Sequence, residues 1–135
     1  FIEIDIPAML DAHHKSHTKL TIALRKMTDC SRYGQAILNQ NPDAPLDKTP
    51  THIESFKYPG NAEPGYISLG CYVVSPDLFT PYDLPTHFSF EADVQRPYCH
   101  EIKPLAFIAD GFFIDIGVPD DYKLFCQWQT SKILK

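Results

Sequence analysis

A chain of 135 residues with 44% hydrophobic residues has room for one domain, and burial of roughly two thirds of its unfolded surface is within reach at that size. Its net charge of −5 argues against nucleic acid or an anionic membrane as partner, and no apolar run approaches the roughly 20 residues that cross a bilayer, nor is there a signal-peptide pattern. Cys30, Cys71, Cys99 and Cys126 are scattered without CxxC spacing, which points to reduced, partly buried thiols in a cytoplasmic protein. Residues 1–4 read as the end of a strand, and Pro7 suits the first turn of a helix reaching about His17. Lys19 to Met27 alternates as a strand, with Leu20, Ile22 and Leu24 on one face and Thr21, Ala23 and Arg25 on the other. Thr28 to Arg32 turns, and a strand starts within Tyr33 to Leu38. Asn39 to Pro50, with three prolines and two aspartates, reads as an exposed loop. His52 to Tyr58 alternates as a strand, Pro59 to Pro64 is a second loop, and Tyr66 to Val74 is a buried strand. Ser75 and Pro76 predict a short capped helical turn toward Phe79. Ser89 predicts the cap of a helix running through Val94 to about Tyr98. Leu105 to Ala109 and Phe112 to Ile116 read as a hairpin-like pair around Asp110-Gly111. A closing helix runs from Asp120 to about Lys132, with Tyr122, Leu124, Phe125 and Trp128 as its apolar positions.

The most informative stretch is Asp110 to Tyr122. A short strand, in which Phe112, Ile114 and Ile116 share one face, passes through a glycine turn into a helix with Pro119 at its first position. Asp120 and Asp121 then occupy the first turn, where the helix dipole favours negative charge. That leaves Asp115 at the C-terminal mouth of a strand, where ligands of open α/β sheets bind. A carboxylate there can hold a divalent metal over a phosphate, or it can accept from backbone amides of the turn that follows.

Other side chains carry less. His13 and His17 are four apart on the predicted helix, but no acidic or cysteine partner stands nearby, so they read as an exposed polar face. Ser75, Ser89 and Ser131 lack any G-x-S-x-G context, and Cys99 beside His100 is a sequence neighbour only. No residue of the chain is assigned a catalytic role.

The Asp110–Tyr122 string resembles the C-terminal signature of the sugar-1-phosphate nucleotidyltransferases, and is closest to their heptose- and mannose-1-phosphate guanylyltransferase-like branch. Four further pieces fall in that family's order. Phe1-Ile2-Glu3-Ile4-Asp5-Ile6 resembles the segment after its Gly-Asp metal motif. Asp29-Cys30-Ser31-Arg32-Tyr33-Gly34 resembles its Asp-x-Ser-Arg-Tyr-Gly turn. Gly65 to Pro76 resembles its Gly-x-Ile-Asn-Ala-Gly-x-Tyr-Val strand, and Phe88 to Val94 its Phe-Ser-x-Glu-x-Asp helix start. The resemblance implies an α/β fold, the C-terminal portion of a Rossmann-like (GT-A-like) nucleotidyltransferase sheet flanked by helices. Residues 1–135 would then be a partial nucleotidyltransferase domain, its nucleotide loop and first metal aspartate lying upstream. It also implies transfer of a nucleoside monophosphate from a triphosphate, GTP favoured, to a sugar-1-phosphate, with Mg²⁺ as cofactor. In those terms Asp115 is a metal ligand, and Tyr33, Gly34, Lys57 and Ser68 are substrate-binding. The apolar faces and strand edges of such a piece call for cover, either from the missing N-terminal half or from a homo-oligomer.

Three departures from the pattern stand out. Tyr58 and Pro59 occupy the places of the family's Glu-Lys pair, so Lys57 substitutes only if the register slips and is otherwise a solvated strand lysine. Ser68 and Leu69 replace Asn and Ala. Val118 replaces the usual threonine cap and cannot accept an amide proton, at a cost of about 1 kcal/mol. The missing Glu-Lys pair and the missing Asn favour a rival expectation, a non-catalytic nucleotidyltransferase-like domain that binds a nucleotide sugar or a partner subunit.

Overall fold

The computed structural model of the protein describes residues 1–39, 51–60 and 62–133; most of the predicted Asn39–Pro50 loop lies outside them. The chain divides into two compact units, one of Phe1–Ile4 with Asp110–Lys135 and the other of Asp5–Ala109.

The larger unit opens with α1 (Ile6–Ser16), started by Asp5, whose carboxylate accepts from the amide of Ala8 at 2.9 Å, with Pro7 in the first turn. It closes at His17, which takes the left-handed conformation at φ 53°. There follow β1 (Leu20–Met27), β2 (Gln35–Leu38), β3 (Ile53–Lys57), β4 (Gly65–Val74), a π-helical turn (Phe90–Gln95), α2 (Cys99–Ile102) and β5 (Leu105–Ile108). The five strands form one mixed sheet in the order β3-β2-β4-β1-β5. β1 is antiparallel to β4 and parallel to β5, and β2 is antiparallel to both β3 and β4.

The alternation expected of β1 holds, but residues 20 to 24 are all buried. A strand flanked by partners on both edges is covered on both faces when helices pack on each side. Leu20, Ile22 and Leu24 join Ala36, Ile53, Tyr66, Leu78 and Cys99 in the main core. Thr21, on the opposite face, meets His13 of α1, with 2.8 Å between its hydroxyl and Nδ1. His13 is thus a satisfied core residue rather than part of an exposed face: Nε2 lies 3.2 Å from the Ser75 hydroxyl, and burial, helped by neighbouring His14, holds its pKa below the ordinary histidine value.

Several local expectations are corrected. The short turn after Ser75 is present, the Leu78 amide donating to the Ser75 carbonyl at 3.0 Å, but the Ser75 hydroxyl meets His13 Nε2 in place of the expected capping role. The helix expected from Ser89 to Tyr98 is split. Ser89 and Asp93 cap its start reciprocally, the Ser89 hydroxyl accepting from the Ala92 amide at 3.2 Å and the Asp93 carboxylate from the Ser89 amide at 2.7 Å. The turn then widens, with the amide of Arg96 donating to the carbonyl of Glu91 at 3.1 Å, and Pro97 has no amide to continue the pattern. The hairpin around Asp110-Gly111 is also absent among the described residues. β5 follows α2 and pairs with β1 in parallel fashion.

The smaller unit holds the other half of that supposed hairpin. Phe113 bridges Ile2 in antiparallel fashion, with the Glu3 amide donating to the Phe112 carbonyl at 2.8 Å. Gly111 is required there, since a Cβ would collide with the Glu3 carbonyl. The closing helix α3 (Pro119–Ile133) begins with Pro119, Asp120 and Asp121 as the sequence predicts. Phe112 stacks on Trp128 at 4.3 Å between centroids, and Phe1 packs on Phe125 at 5.0 Å. Of the apolar positions of α3, Tyr122 and Leu124 are exposed.

Candidate functional site

In the larger unit a small open cleft lies where the π-helical turn covers one end of the sheet. Gly34, Phe56, Lys57 and Ser68 line it from the strand side, and Glu91, Gln95 and Arg96 from the turn. Three of the sequence-predicted binding residues, Gly34, Lys57 and Ser68, therefore border one space. Tyr33 stands next to it in sequence but is not among the lining residues; its amide donates to the Cys30 carbonyl at 3.0 Å and the Arg32 guanidinium lies 5.5 Å from its ring centre.

Each wall has a local cause. Gly34 leads into β2 so close to β3 that a Cβ would sit 3.1 Å from the Lys57 carbonyl oxygen, so glycine lets the strands approach without displacing that carbonyl. Lys57, the last residue of β3 and opposite Gln35, holds an exposed ammonium at the rim. Ser68 stands beside an irregularity in β4. Between Ile22 and Leu24 β1 spends one residue, while β4 spends Leu69, Gly70 and Cys71 between the matching Ser68 and Tyr72. Gly70 accommodates this with φ 68°, and its amide donates to the Ser68 hydroxyl at 3.3 Å. The Ser68 oxygen lies 3.5 Å from the Tyr72 hydroxyl, which donates to the Glu91 carboxylate at 3.4 Å. A relay of hydroxyls thus ties the bulge to the π-helical turn across the cleft wall.

The turn contributes the residues that the sequence reading did not assign. Glu91 brings a carboxylate and Arg96 a guanidinium, which lies 4.2 Å from the ring centre of Tyr58. Gln95 is 2% exposed, and its side-chain nitrogen Nε2 has no hydrogen-bond partner among the described residues. The signal available in the sequence was spacing: Glu91 and Gln95 are four apart, which places both on one side of a helical turn. With two cations, one carboxylate, a hydroxyl and an amide around it, the cleft suits a ligand that carries both an anionic group and hydroxyls.

Asp115 belongs to the smaller unit. It is half-buried in the turn before α3, and its Oδ1 accepts from the amide of Gly117 at 3.1 Å. Both readings of this carboxylate were open, and the backbone-amide contact is present. A hard oxygen donor of this kind fits Mg²⁺, which takes one or two carboxylates and completes its shell with water and phosphate oxygens. Among the described residues no group of three or more His, Cys, Asp or Glu side chains is arranged to hold a metal. No helix among them is long and apolar enough to cross a membrane.

No family model matches the chain. It is 32% identical over 120 residues to the D-glycero-alpha-D-manno-heptose 1-phosphate guanylyltransferase of Aneurinibacillus thermoaerophilus, covering 89% of this chain and 48% of that protein. It is 32% identical over 122 residues to the enzyme of the same name from Campylobacter jejuni, covering 90% of this chain and 49% of the relative. The crystal structure of HddC from Yersinia pseudotuberculosis complexed with GMP-PN matches 94% of this chain and 50% of its own, with a TM-score of 0.71 and 27% identity. The chain spans about half the length of the curated relatives it matches. The resemblance to the sugar-1-phosphate nucleotidyltransferases therefore extends from short motifs to most of this chain, in sequence and in fold.

Proposed function

We propose that the full protein transfers a guanylyl group from GTP to a sugar-1-phosphate, a heptose or mannose derivative, and releases pyrophosphate. The observation that carries the reading is the cleft, where Gly34, Lys57 and Ser68 meet Glu91 and Arg96. In the reaction a phosphate oxygen of the sugar-1-phosphate attacks the α-phosphorus of the triphosphate, and the bond from that phosphorus to the bridging oxygen of the pyrophosphate group breaks. Such a reaction asks chiefly for positioning and charge neutralisation. Lys57 and Arg96 would neutralise the sugar phosphate, while Glu91 accepts hydrogen bonds from sugar hydroxyls. Tyr72, through Ser68 and Glu91, is a positioning residue for that wall. Tyr33 would pack beside the sugar. Asp115 would hold Mg²⁺, which when bound supplies charge neutralisation for the triphosphate.

The relatives are named as guanylyltransferases, which supports catalysis over the non-catalytic binding domain. The same reading makes the protein a cytoplasmic enzyme of nucleotide-sugar synthesis for polysaccharide. It also gives the larger polypeptide, or a homo-oligomer, the task of completing the nucleotide site. Pyrophosphate release by the full protein, with Mg²⁺, GTP and mannose-1-phosphate or a heptose-1-phosphate, tests it. Release well above background with at least one pair is expected. Background release with every pairing of those sugars and the four common triphosphates would overturn the assignment.

A further inference from the structure

We propose that Gln95 is a specificity-determining residue, whose side-chain amide donates a hydrogen bond to a hydroxyl of the sugar phosphate bound in the cleft. The inference rests on the function proposed above and adds a residue to it. Gln95 sits at the end of the π-helical turn, 2% exposed, and borders the cleft. Its Nε2 is the sole buried side-chain nitrogen or oxygen without a hydrogen-bond partner among the described residues. Leaving such a donor unmade costs a folded protein stability, so buried polar groups are nearly always paired, and each exception asks for an explanation. An apolar side chain would fill this position more cheaply; a donor kept here has use for an acceptor that arrives with a ligand.

The surrounding chemistry narrows that acceptor. Lys57 and Arg96 line the same cleft and are the stronger partners for a phosphate, because charge-assisted bonds to phosphate exceed those from a neutral amide. Glu91, one helical turn from Gln95, can only accept. A hydroxyl is the group that satisfies both, accepting from Gln95 and donating to Glu91. Sites that hold a substrate hydroxyl with buried polar groups discriminate strongly against analogues that lack it.

The test compares wild-type full protein with Gln95→Leu by calorimetric titration with mannose-1-phosphate and, separately, with inorganic phosphate. Pyrophosphate release is followed over a range of sugar-phosphate and GTP concentrations. The expected result is about a tenfold or greater loss of mannose-1-phosphate affinity, a matching rise in the KM for the sugar phosphate, and unchanged affinity for inorganic phosphate and KM for GTP. Thermal stability of Gln95→Leu should be equal or higher, because the change removes an orphan donor. Gln95→Met, of closer shape and still without a donor, should behave as Gln95→Leu. Equal mannose-1-phosphate affinity in wild type and both variants overturns the role of Gln95 while the transferase reading stands. An equal loss for inorganic phosphate overturns the hydroxyl assignment. No binding of the sugar phosphate and no turnover by wild type overturns both.

Discussion

Replacing Arg96 by alanine separates binding from stability more cleanly than any other change in the cleft. The guanidinium lies 4.2 Å from the centre of the Tyr58 ring, and Tyr58 is 71% exposed. A cation–π contact at so exposed a site is worth about 0.5 kcal/mol, so the variant should lose only about 1–4 °C in its thermal midpoint. A charge-assisted hydrogen bond from the same group to a phosphate is worth about 1.5–3 kcal/mol, which corresponds to about a 10- to 150-fold loss in affinity. Calorimetric titration of the full protein with mannose-1-phosphate at low ionic strength reads the second quantity, and a thermal melt reads the first. Tyr58→Ala keeps the charge and removes only the surface that orients it, so its affinity should fall about two- to fivefold. Arg96→Lys should recover part of the loss, since the charge returns without the planar fork. Wild-type affinity in Arg96→Ala, or a loss no larger than in Tyr58→Ala, would refute the assignment of this guanidinium to the phosphate.

Gly111→Ala forces a Cβ into the Glu3 carbonyl, a backbone atom that cannot swing aside; the pairing of Phe112 with Glu3 should open at a cost of about 1–3 kcal/mol, reported by faster hydrogen exchange at the Glu3 amide and altered fluorescence of Trp128 against Phe112. His13, whose pKa burial lowers, takes up its proton more readily when unfolded, so stability present above about pH 6.5 should decline as pH falls through that value toward the lower folded pKa. Urea melts at pH 7.5 and 5.5 check this, and His13→Leu, less stable at pH 7.5, should lack that part of the decline. Asp115→Asn keeps an acceptor for the Gly117 amide but removes the charge. Its melting temperature should stay near wild type while Mg²⁺-dependent pyrophosphate release falls by at least about tenfold; undiminished release would remove the metal role.

The strands were legible because their signals are local. β1 and β4 alternate or run apolar over enough residues to exclude a helix, and α1 announces itself through Pro7. What local pattern could not convey was partnership. Phe112 to Ile116 alternates like a strand, yet whether it pairs with β5 or with Phe1–Ile4 depends on contacts more than a hundred residues apart in the chain. His13 looked like a surface residue because its partners, Thr21 and Ser75, come from two other elements. In the cleft, motif resemblance singled out Gly34, Lys57 and Ser68 individually, but the π-helical turn opposite them passed as a plain capped helix. Gln95 and Arg96 went unassigned for that reason: the four-residue spacing of Glu91 and Gln95 places both on one side of the turn, but what that side faces comes from a neighbouring wall.

A crystal structure of the full protein with mannose-1-phosphate bound is the most direct measurement of whether this cleft takes the sugar phosphate. A phosphoryl oxygen is expected within about 3 Å of Lys57 or Arg96, and a sugar hydroxyl at about the same distance from the Gln95 nitrogen. A ligand ordered elsewhere on the protein, with the space between β3, β4 and the π-helical turn left to solvent, would contradict it.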